Sequence, residues 1–217
     1  KTLHAVVINP AVDFDVNEIA KYASLSLHTV DENSIPEFNT QGYTDILFQV
    51  SEQIKPEVIV LSGSSYGSSI GPRLSAKMNA AYTSNVVDLP DLAQGFKVKR
   101  GVYSGKAIAF TELKSSVKIL SLKANAYPVV LAGGSVTKEE FKPVLSNGYL
   151  REKVKELIKT SGKISLKEAD IVVSAGRGLK DPKNWGMVEE LAQLLGAATA
   201  CSKPVADMHW RPHSEHV

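Results

Sequence analysis

Short, unbroken runs of branched apolar residues recur along this chain and limit the folds it can adopt. Strands that are buried on both faces of a parallel sheet have such runs, whereas half-exposed strands alternate apolar and polar residues. Helical patterns separate the runs, and strand–helix alternation favours an α/β fold with a doubly wound, mostly parallel sheet. The candidate strands are Ala5–Ile8, Val58–Leu61, Val86–Val87 and Val129–Leu131.

Amphipathic patterns predict helices between these strands. One helix starts at Ile19–Ala23, and a second covers Ile46–Ile54 and ends before Pro56, because the residue before proline disfavours helical geometry. A third covers Ile70–Ala81, in which Pro72 is tolerable only near the first turn.

The middle of the chain departs from this alternation. Phe96–Ser104, Lys106–Leu113 and Val117–Leu122 are closely spaced β-rich segments, which predict an antiparallel β meander appended to the parallel sheet. The polar stretch Val136–Lys163 follows and contains a lysine-rich helical pattern around Arg151–Lys159.

The composition favours an ordinary globular protein. The chain has 217 residues, of which 43% are hydrophobic and 22% charged, with a net charge of +2 and one cysteine. The charge predicts no nucleic-acid partner, and no apolar run approaches the roughly 20 residues of a membrane span. A single cysteine excludes an internal disulfide and fits a reducing compartment. We expect a cytoplasmic protein, or one of the mitochondrial matrix.

A boundary near residues 160–166 divides the chain into two predicted domains, 1–165 and 166–217. The second contains two strands and one helix, which provide too little apolar area to offset the entropy of the chain. We therefore expect it to dock on the first domain or to be completed by residues beyond Val217.

The second domain has two polar loops, each at the carboxyl end of a strand. The strand Ile171–Ser174 leads into the glycine turn Ala175–Gly178, which contains Arg177, and the strand Ala197–Cys201 leads into Ser202-Lys203-Pro204. Open parallel α/β sheets bind ligands at such strand ends, and arginine suits a phosphate or a flavin edge. The alternative is a plain strand-to-helix turn with a surface arginine.

Three other constellations leave alternatives open. Cys201 is either a nucleophile or a small core residue. His209, His213 and His216 have spacings that metal ligands on a helix can have, although Pro212 favours a loop. The segment Ser62–Gly71, SGSSYGSSIG, is either a phosphate-binding loop without a Walker lysine or a polar strand-to-helix turn.

The sequence from Glu168, EADIVVSAGRGLKDPKNWGMVEELAQLLGAATACSKPVADMHW, and the ending PHSEHV resemble the start of the flavin domain of electron transfer flavoprotein alpha subunits. SSYGSSIGPRLSAKMNAAYTSNVVDL, from Ser64, is similar to a helix and strand of the family's first domain. The resemblance covers essentially the whole chain. It implies an adenine nucleotide alpha hydrolase-like first domain and a truncated second α/β domain that binds FAD.

The resemblance also implies roles for individual residues. Arg177 matches an arginine that contacts FAD, and Ser202 matches a serine that hydrogen-bonds the flavin region. Lys203 stands where the family usually has arginine beside the isoalloxazine, and Val217 matches the first residue of a flavin loop. Ala175 replaces the first glycine of the family's turn.

The implied function is electron transfer without catalytic side chains. As an alpha–beta heterodimer, such a protein accepts electrons on FAD from flavin dehydrogenases, as in fatty acid β-oxidation, and passes them to a quinone reductase or similar acceptor. We expect this chain alone to bind FAD weakly or not at all. The rival hypothesis is a nucleotide-binding module that holds ATP or AMP at Ser62–Gly71, and a third hypothesis treats the first domain mainly as a scaffold for the beta subunit.

Overall fold

The computed structural model describes residues 2–11, 14–31, 35, 37–103, 105–145, 166 and 169–217. The chain divides into two compact units, Lys1–Glu156 and Leu157–Val217. The described strands of the first unit are β1 (His4–Ile8), β2 (Leu25–Val30), β3 (Val58–Ser62), β4 (Ala81–Val86), β5 (Lys97–Val102), β6 (Ala107–Glu112), β7 (Lys118–Leu122) and β8 (Val136–Glu140). Its described helices are α1 (Val16–Ala20), α2 (Thr40–Ile54) and α3 (Ser65–Met78).

The described part of the first unit contains two sheets where the sequence predicts one. The smaller sheet has the order β1–β2–β8 and is parallel throughout. The larger has the order β3–β7–β4–β5–β6, in which β3, β7 and β4 are parallel and β5 and β6 form an antiparallel hairpin. A mixed α/β fold with parallel strands is therefore confirmed, and the single continuous sheet is not.

Two strand predictions are wrong in detail, and the strand β2 was missed. Val129–Leu131 is exposed and forms no strand, so its apolar run does not mark a buried one. The third segment of the predicted meander, β7, instead lies between β3 and β4, where it is largely buried. The strand β2 was not predicted, because Leu25–Val30 includes buried polar residues rather than a continuous apolar run.

The helices follow the apolar pattern more closely. The α2 helix begins where the Asn39 side chain accepts a hydrogen bond from the backbone N–H of Gly42 at 2.8 Å, and it ends at Lys55, which has a φ of 55°. Pro72 lies well inside α3, not in its first turn. Because proline has no N–H, the carbonyl of Ser68 lacks its helical hydrogen-bond donor, and Ser68 is exposed.

Two predicted helices need separate comment. The helix predicted from Ile19 is the short α1, which ends at Ala20 before β2 begins. The lysine-rich helix predicted around Arg151–Lys159 lies outside the described residues, and the described part of its segment forms the charged edge strand β8. Charged side chains at a sheet edge discourage pairing with another chain.

The core of the first unit lies between the sheets and the two longer helices. Val30, Ile35, Ile46 and Val50 form one buried cluster between the smaller sheet and α2. Ile70, Leu74 and Ile119 form another between α3 and the larger sheet. A third cluster, on β4, β5 and β7, contains Val86, Val98 and Leu120 together with Leu113.

The described part of the second unit has two parallel strands and two α-helices. They are β9 (Val172–Ala175), α4 (Gly186–Leu195), β10 (Ala198–Cys201) and α5 (Lys203–Asp207). The one helix predicted for this unit begins as a short 3-10 helix, Pro182–Trp185, which leads directly into α4. Trp185 and Val188 pack with Cys201, Val205 and Ala206 in its core.

Candidate functional site

The ends of β9 and β10 lie side by side at one edge of the second unit. The two strands are parallel, and Cys201 is in register with Ala175, so the glycine turn and the Ser202 loop leave the sheet together. The N–H of Ser202 donates to the carbonyl of Ala175 at 3.1 Å. A Cβ built on Gly176 would lie 3.5 Å from the Ser202 Oγ. The expected convergence of the two loops is therefore present.

Arg177 begins the turn that follows β9. Gly176 is extended, and Arg177–Leu179 forms a single turn of 3-10 helix. The Arg177 side chain is exposed and has no ion-pair partner among the described residues. It therefore presents its fork of donors to any anion that approaches this edge.

Ser202 and Lys203 begin α5. Ser202 is the cap residue of this helix, but its hydroxyl makes no capping hydrogen bond, so the Oγ stays available to a ligand. Lys203 occupies the first position of the helix and is exposed. Neither side chain has a hydrogen-bond partner in the described part of the chain.

Val217 lies against the end of β10. Its N–H donates to the carbonyl of Cys201 at 3.1 Å, and His216 forms an isolated parallel bridge with Cys201. The backbone of His216 and Val217 thus lies beside the end of β10, where the chain continues into Ser202. Its side chain is 66% exposed.

The chemistry of these side chains fits a large anionic cofactor. Two unpaired cations and one free hydroxyl surround the same strand ends, as a phosphate-bearing ligand with a polar ring edge requires. In an FAD complex, Arg177, Ser202, Lys203 and the Val217 segment are the residues available to hold the cofactor. Their direct contact with FAD stays a prediction.

Cys201 belongs to the core rather than to this edge. The residue is fully buried, and burial is the main reason that the pKa of its thiol is raised above the ordinary value of 9.0. Glu215 raises this pKa further, and Arg211 lowers it. Because thiolates are the reactive species, these surroundings favour the interpretation of Cys201 as a core residue.

We expect Cys201 to react with a disulfide reagent such as DTNB only when the second unit opens. Labelling of the native protein at pH 8 should be slower than in denaturant by a factor set by the opening equilibrium. Because the unfolded thiol ionises first, the free energy of unfolding should fall as the pH rises above 9.0. Equal labelling rates with and without denaturant would contradict the buried position.

The histidines near the carboxyl end of the chain are spread along a loop. His213 begins a short 3-10 helix, and the His209 and His213 ring centroids lie 6.5 Å apart at an interplanar angle of 88°. In the described ranges, no group of three or more His, Cys, Asp or Glu side chains could hold a metal ion. The helical metal site considered from their spacing has no helix to support it.

The glycines of the segment Ser62–Gly71 are explained by close packing; Gly63 lies in the turn before α3, and Gly67 and Gly71 lie in α3. A Cβ on Gly63 or on Gly67 would come within 3.0 Å of a backbone carbonyl oxygen, of Leu122 and Ser62 respectively. A Cβ on Gly71 would overlap the Tyr82 ring. These contacts favour a tightly packed strand-to-helix turn over a phosphate loop.

A cavity of about 830 Å³ lies beside this turn, between β1 and β3. Its lining is mainly apolar and includes Phe38, Tyr43 and Leu47. Lys55 reaches it at the amino end of β3, whereas the Ser62 turn lies at the carboxyl end. A triphosphate is held by several cations, and among the described residues Lys55 is the only lysine or arginine that lines this cavity.

Among the described helices, none combines the length and the apolar character that a membrane crossing requires.

Taken together, the parallel strands and the exposed cations at the ends of β9 and β10 have the features of α/β proteins that bind ligands at the carboxyl ends of parallel strands. Residues 1–145 match the electron transfer flavoprotein domain, and residues 165–217 match the electron transfer flavoprotein FAD-binding domain. The chain belongs to the electron transfer flavoprotein family.

Similar proteins are named as alpha subunits. The electron transfer flavoprotein subunit alpha of Syntrophomonas wolfei is 28% identical over 98% of this chain and 68% of its own length. That of Bacillus subtilis is 25% identical over 93% of this chain and 62% of its own length. A probable mitochondrial alpha subunit of Caenorhabditis elegans is 25% identical over 86% and 54%. The chain thus spans about half to two thirds of the length of these relatives.

Sequence reasoning missed one group of side chains in the second unit. Arg211, Glu215 and Glu189 form a hydrogen-bonded ion network between the loop before Val217 and α4. The spacing of four between Arg211 and Glu215 was visible in the sequence. Pro212 argues against a helix here, and without a helix a spacing of four does not predict that two side chains meet.

Proposed function

We propose that this chain functions as the alpha subunit of an electron transfer flavoprotein. In a heterodimer with a beta subunit it would carry electrons on FAD from flavin dehydrogenases to a quinone reductase or similar acceptor. The observation that carries this proposal is the convergence of Arg177, Ser202, Lys203 and Val217 at one strand edge, within the segment that matches an FAD-binding domain.

The division of labour between the two parts follows from this proposal. Residues 1–165 would form the first, nucleotide-hydrolase-like α/β domain and provide a scaffold for the beta subunit. Residues 166–217 would contribute one wall of the FAD site. The named relatives support a location in the bacterial cytoplasm or, in a eukaryote, in the mitochondrial matrix.

The side chains at the strand edge would bind and orient the cofactor rather than react. FAD supplies the electron-transfer chemistry when bound. The Arg177 guanidinium can bind a phosphate oxygen or a polar ring edge through two parallel hydrogen bonds. The Ser202 hydroxyl can donate or accept one hydrogen bond, and the Lys203 ammonium adds positive charge beside it. No side chain of this edge needs to transfer a group, so we propose an electron carrier and not an enzyme.

The first test is flavin retention by the protein co-expressed with a beta subunit. The heterodimer should elute from gel filtration with bound flavin, measured by its visible absorbance against protein concentration. Arg177→Ala should weaken FAD binding by roughly 10- to 100-fold, because a hydrogen bond to a charged group contributes about 1.5–3 kcal/mol. Lys183→Ala, which removes an exposed cation of the next 3-10 helix, outside the two loops at the strand ends, is the matched control.

Two outcomes would contradict the proposal. One is a heterodimer that forms without retaining flavin, and the other is an Arg177→Ala variant that binds FAD as tightly as Lys183→Ala does. Calorimetry with ATP and AMP on the chain alone addresses the nucleotide-binding hypothesis, for which the first-unit cavity provides little support. We expect no binding in that titration.

A further inference from the structure

The Arg211 side chain is the centre of an ion network that joins three parts of the second unit. Its Nε and Nη2 atoms donate to the two carboxylate oxygens of Glu215 at 2.7 and 2.8 Å. Its Nη1 donates to Glu189 Oε1 on α4 at 2.9 Å. The guanidinium carbon lies 5.3 Å from the centre of the buried Trp185 ring. Arg211 therefore has fixed partners on its edge and on its face.

The two carboxylates differ in their surroundings. The Arg211 and Glu215 side chains are only 15% and 12% exposed, whereas Glu189 is 52% exposed. A bidentate pair shielded from water is stronger and more directional than a single exposed contact. The hydrogen bond with Glu215 is also the largest cause of the raised pKa of Arg211. Glu215 is thus the main partner, and Glu189 is secondary.

This network holds the loop formed by residues 210–217. At one end of the loop, the Trp210 N–H donates to the Val205 carbonyl at 3.1 Å. At the other end, Glu215 is two residues before Val217, whose N–H donates to the Cys201 carbonyl. Between these ends lie Pro212 and one short 3-10 turn, His213–Glu215. The pair of Arg211 with Glu215 lies within this loop, so the network joins the loop to the rest of the unit through the contacts of Arg211 with the Trp185 ring and with Glu189.

The same link determines where Val217 lies relative to Ser202. If Glu215 is held by Arg211, the following residues are kept beside the end of β10, next to the loop that contains Ser202 and Lys203. If the pair is broken, the segment loses its side-chain link through Glu215 and keeps its backbone contacts with Cys201. Prior ordering of such a segment lowers the entropic cost of binding a ligand.

We propose that Arg211 is a positioning residue for the backbone beside the carboxyl ends of β9 and β10, where FAD is proposed to bind. It acts through Glu215 and Trp185 to fix Val217 beside Ser202 and Lys203 before FAD binds. Its part in FAD binding rests on the proposed function, whereas its hold on Val217 does not. Lysine cannot replace it fully, because an ammonium group can neither bind a carboxylate through a planar fork nor lie flat against the Trp185 ring.

The experiment measures backbone amide hydrogen exchange of Val217 by NMR in the whole protein. Arg211→Ala and Glu215→Gln should each speed exchange at Val217 by about 5- to 30-fold, the factor for a loss of one or two kcal/mol. Arg211→Lys should give a smaller increase. Ala198 and Ala200 of β10, whose N–H groups face β9, report whether the unit itself still folds. Their exchange should change little in any of these variants.

Glu189→Gln is the matched control, because it removes a carboxylate that contacts the same guanidinium from the exposed side. It should leave Val217 exchange within about twofold of the wild type. The proposal is overturned if Val217 exchange is unchanged in Arg211→Ala and Glu215→Gln. It is also overturned if exchange rises equally at Val217, Ala198 and Ala200, because the network would then only stabilise the whole unit.

FAD binding by the heterodimer provides the second measurement. Glu215→Gln should weaken FAD binding by about 5- to 30-fold, and Glu189→Gln should not. A Glu215→Gln heterodimer with faster Val217 exchange and unchanged FAD affinity would overturn the role of the network in FAD binding. If the wild-type heterodimer binds no FAD, the proposed function is wrong, and Val217 exchange still decides whether Arg211 holds this segment.

Discussion

Gly67→Ala should lower the free energy of unfolding of the first unit by about 1–3 kcal/mol, the range for overpacking a tightly packed site. The residue lies in the first turn of α3, and a Cβ there would collide with the carbonyl oxygen of Ser62, at the end of β3. Backbone on both sides of the contact must shift to make room. Alanine favours helix by about 1 kcal/mol over glycine, which offsets only part of this cost.

Urea denaturation followed by circular dichroism is a suitable measurement, with Ser68→Ala as the matched control. Ser68 is the next residue of α3 and is exposed, so its replacement changes helix propensity without a collision. It should leave stability unchanged or raise it slightly. If Gly67→Ala were as stable as Ser68→Ala, the close approach of α3 to β3 would be wrong.

Lys203→Ala should lower the redox potential of FAD in the heterodimer by about 60 mV, because a nearby cation favours the more negative, reduced cofactor. Two unit charges 4 Å apart interact by about 4 kcal/mol at an effective dielectric of 20. Lys203 is exposed, so screening reduces this value, and about 1.4 kcal/mol corresponds to about 59 mV for a one-electron couple.

Lys203→Arg separates charge from geometry. It introduces arginine, the residue that the family resemblance implies at this position, and should keep the potential near the wild-type value while tightening FAD binding, because arginine adds planar, forked donors. Lys183→Ala controls for a general change in surface charge. A potential in Lys203→Ala that matches Lys183→Ala would exclude Lys203 from the surroundings of the flavin. Spectroelectrochemical titration under anaerobic conditions provides the measurement.

The candidate site was more predictable from sequence than the arrangement of the sheets. Parallel strands end at the same edge, so two short strands followed by polar loops were enough to bring Arg177 close to Ser202 and Lys203. The prediction depended on local order along the chain, and the register of Ala175 with Cys201 reproduces it. Contact of these residues with FAD remains a prediction.

The sheet arrangement depended on features that a local pattern does not contain. Nothing in the residues of β7 distinguishes the third strand of a meander from a strand inserted between β3 and β4. Val129–Leu131 has the apolar character of a buried strand, yet it lies in an exposed segment. The strand β2 shows the reverse case: it contains the polar residues His28 and Thr29, yet tertiary packing buries them.

The position of β7 has a consequence for how the first unit folds during synthesis. β3 and β4 are joined by α3, yet they do not pair with each other, because each forms its ladder with β7. When β4 leaves the ribosome, the ladder partner of both strands has still to be synthesised. The five-stranded sheet thus depends on contacts between distant parts of the sequence, which slow folding. Until residue 122 emerges, two strand edges stay open to wrong partners, so this is the stage at which chaperone binding should matter most.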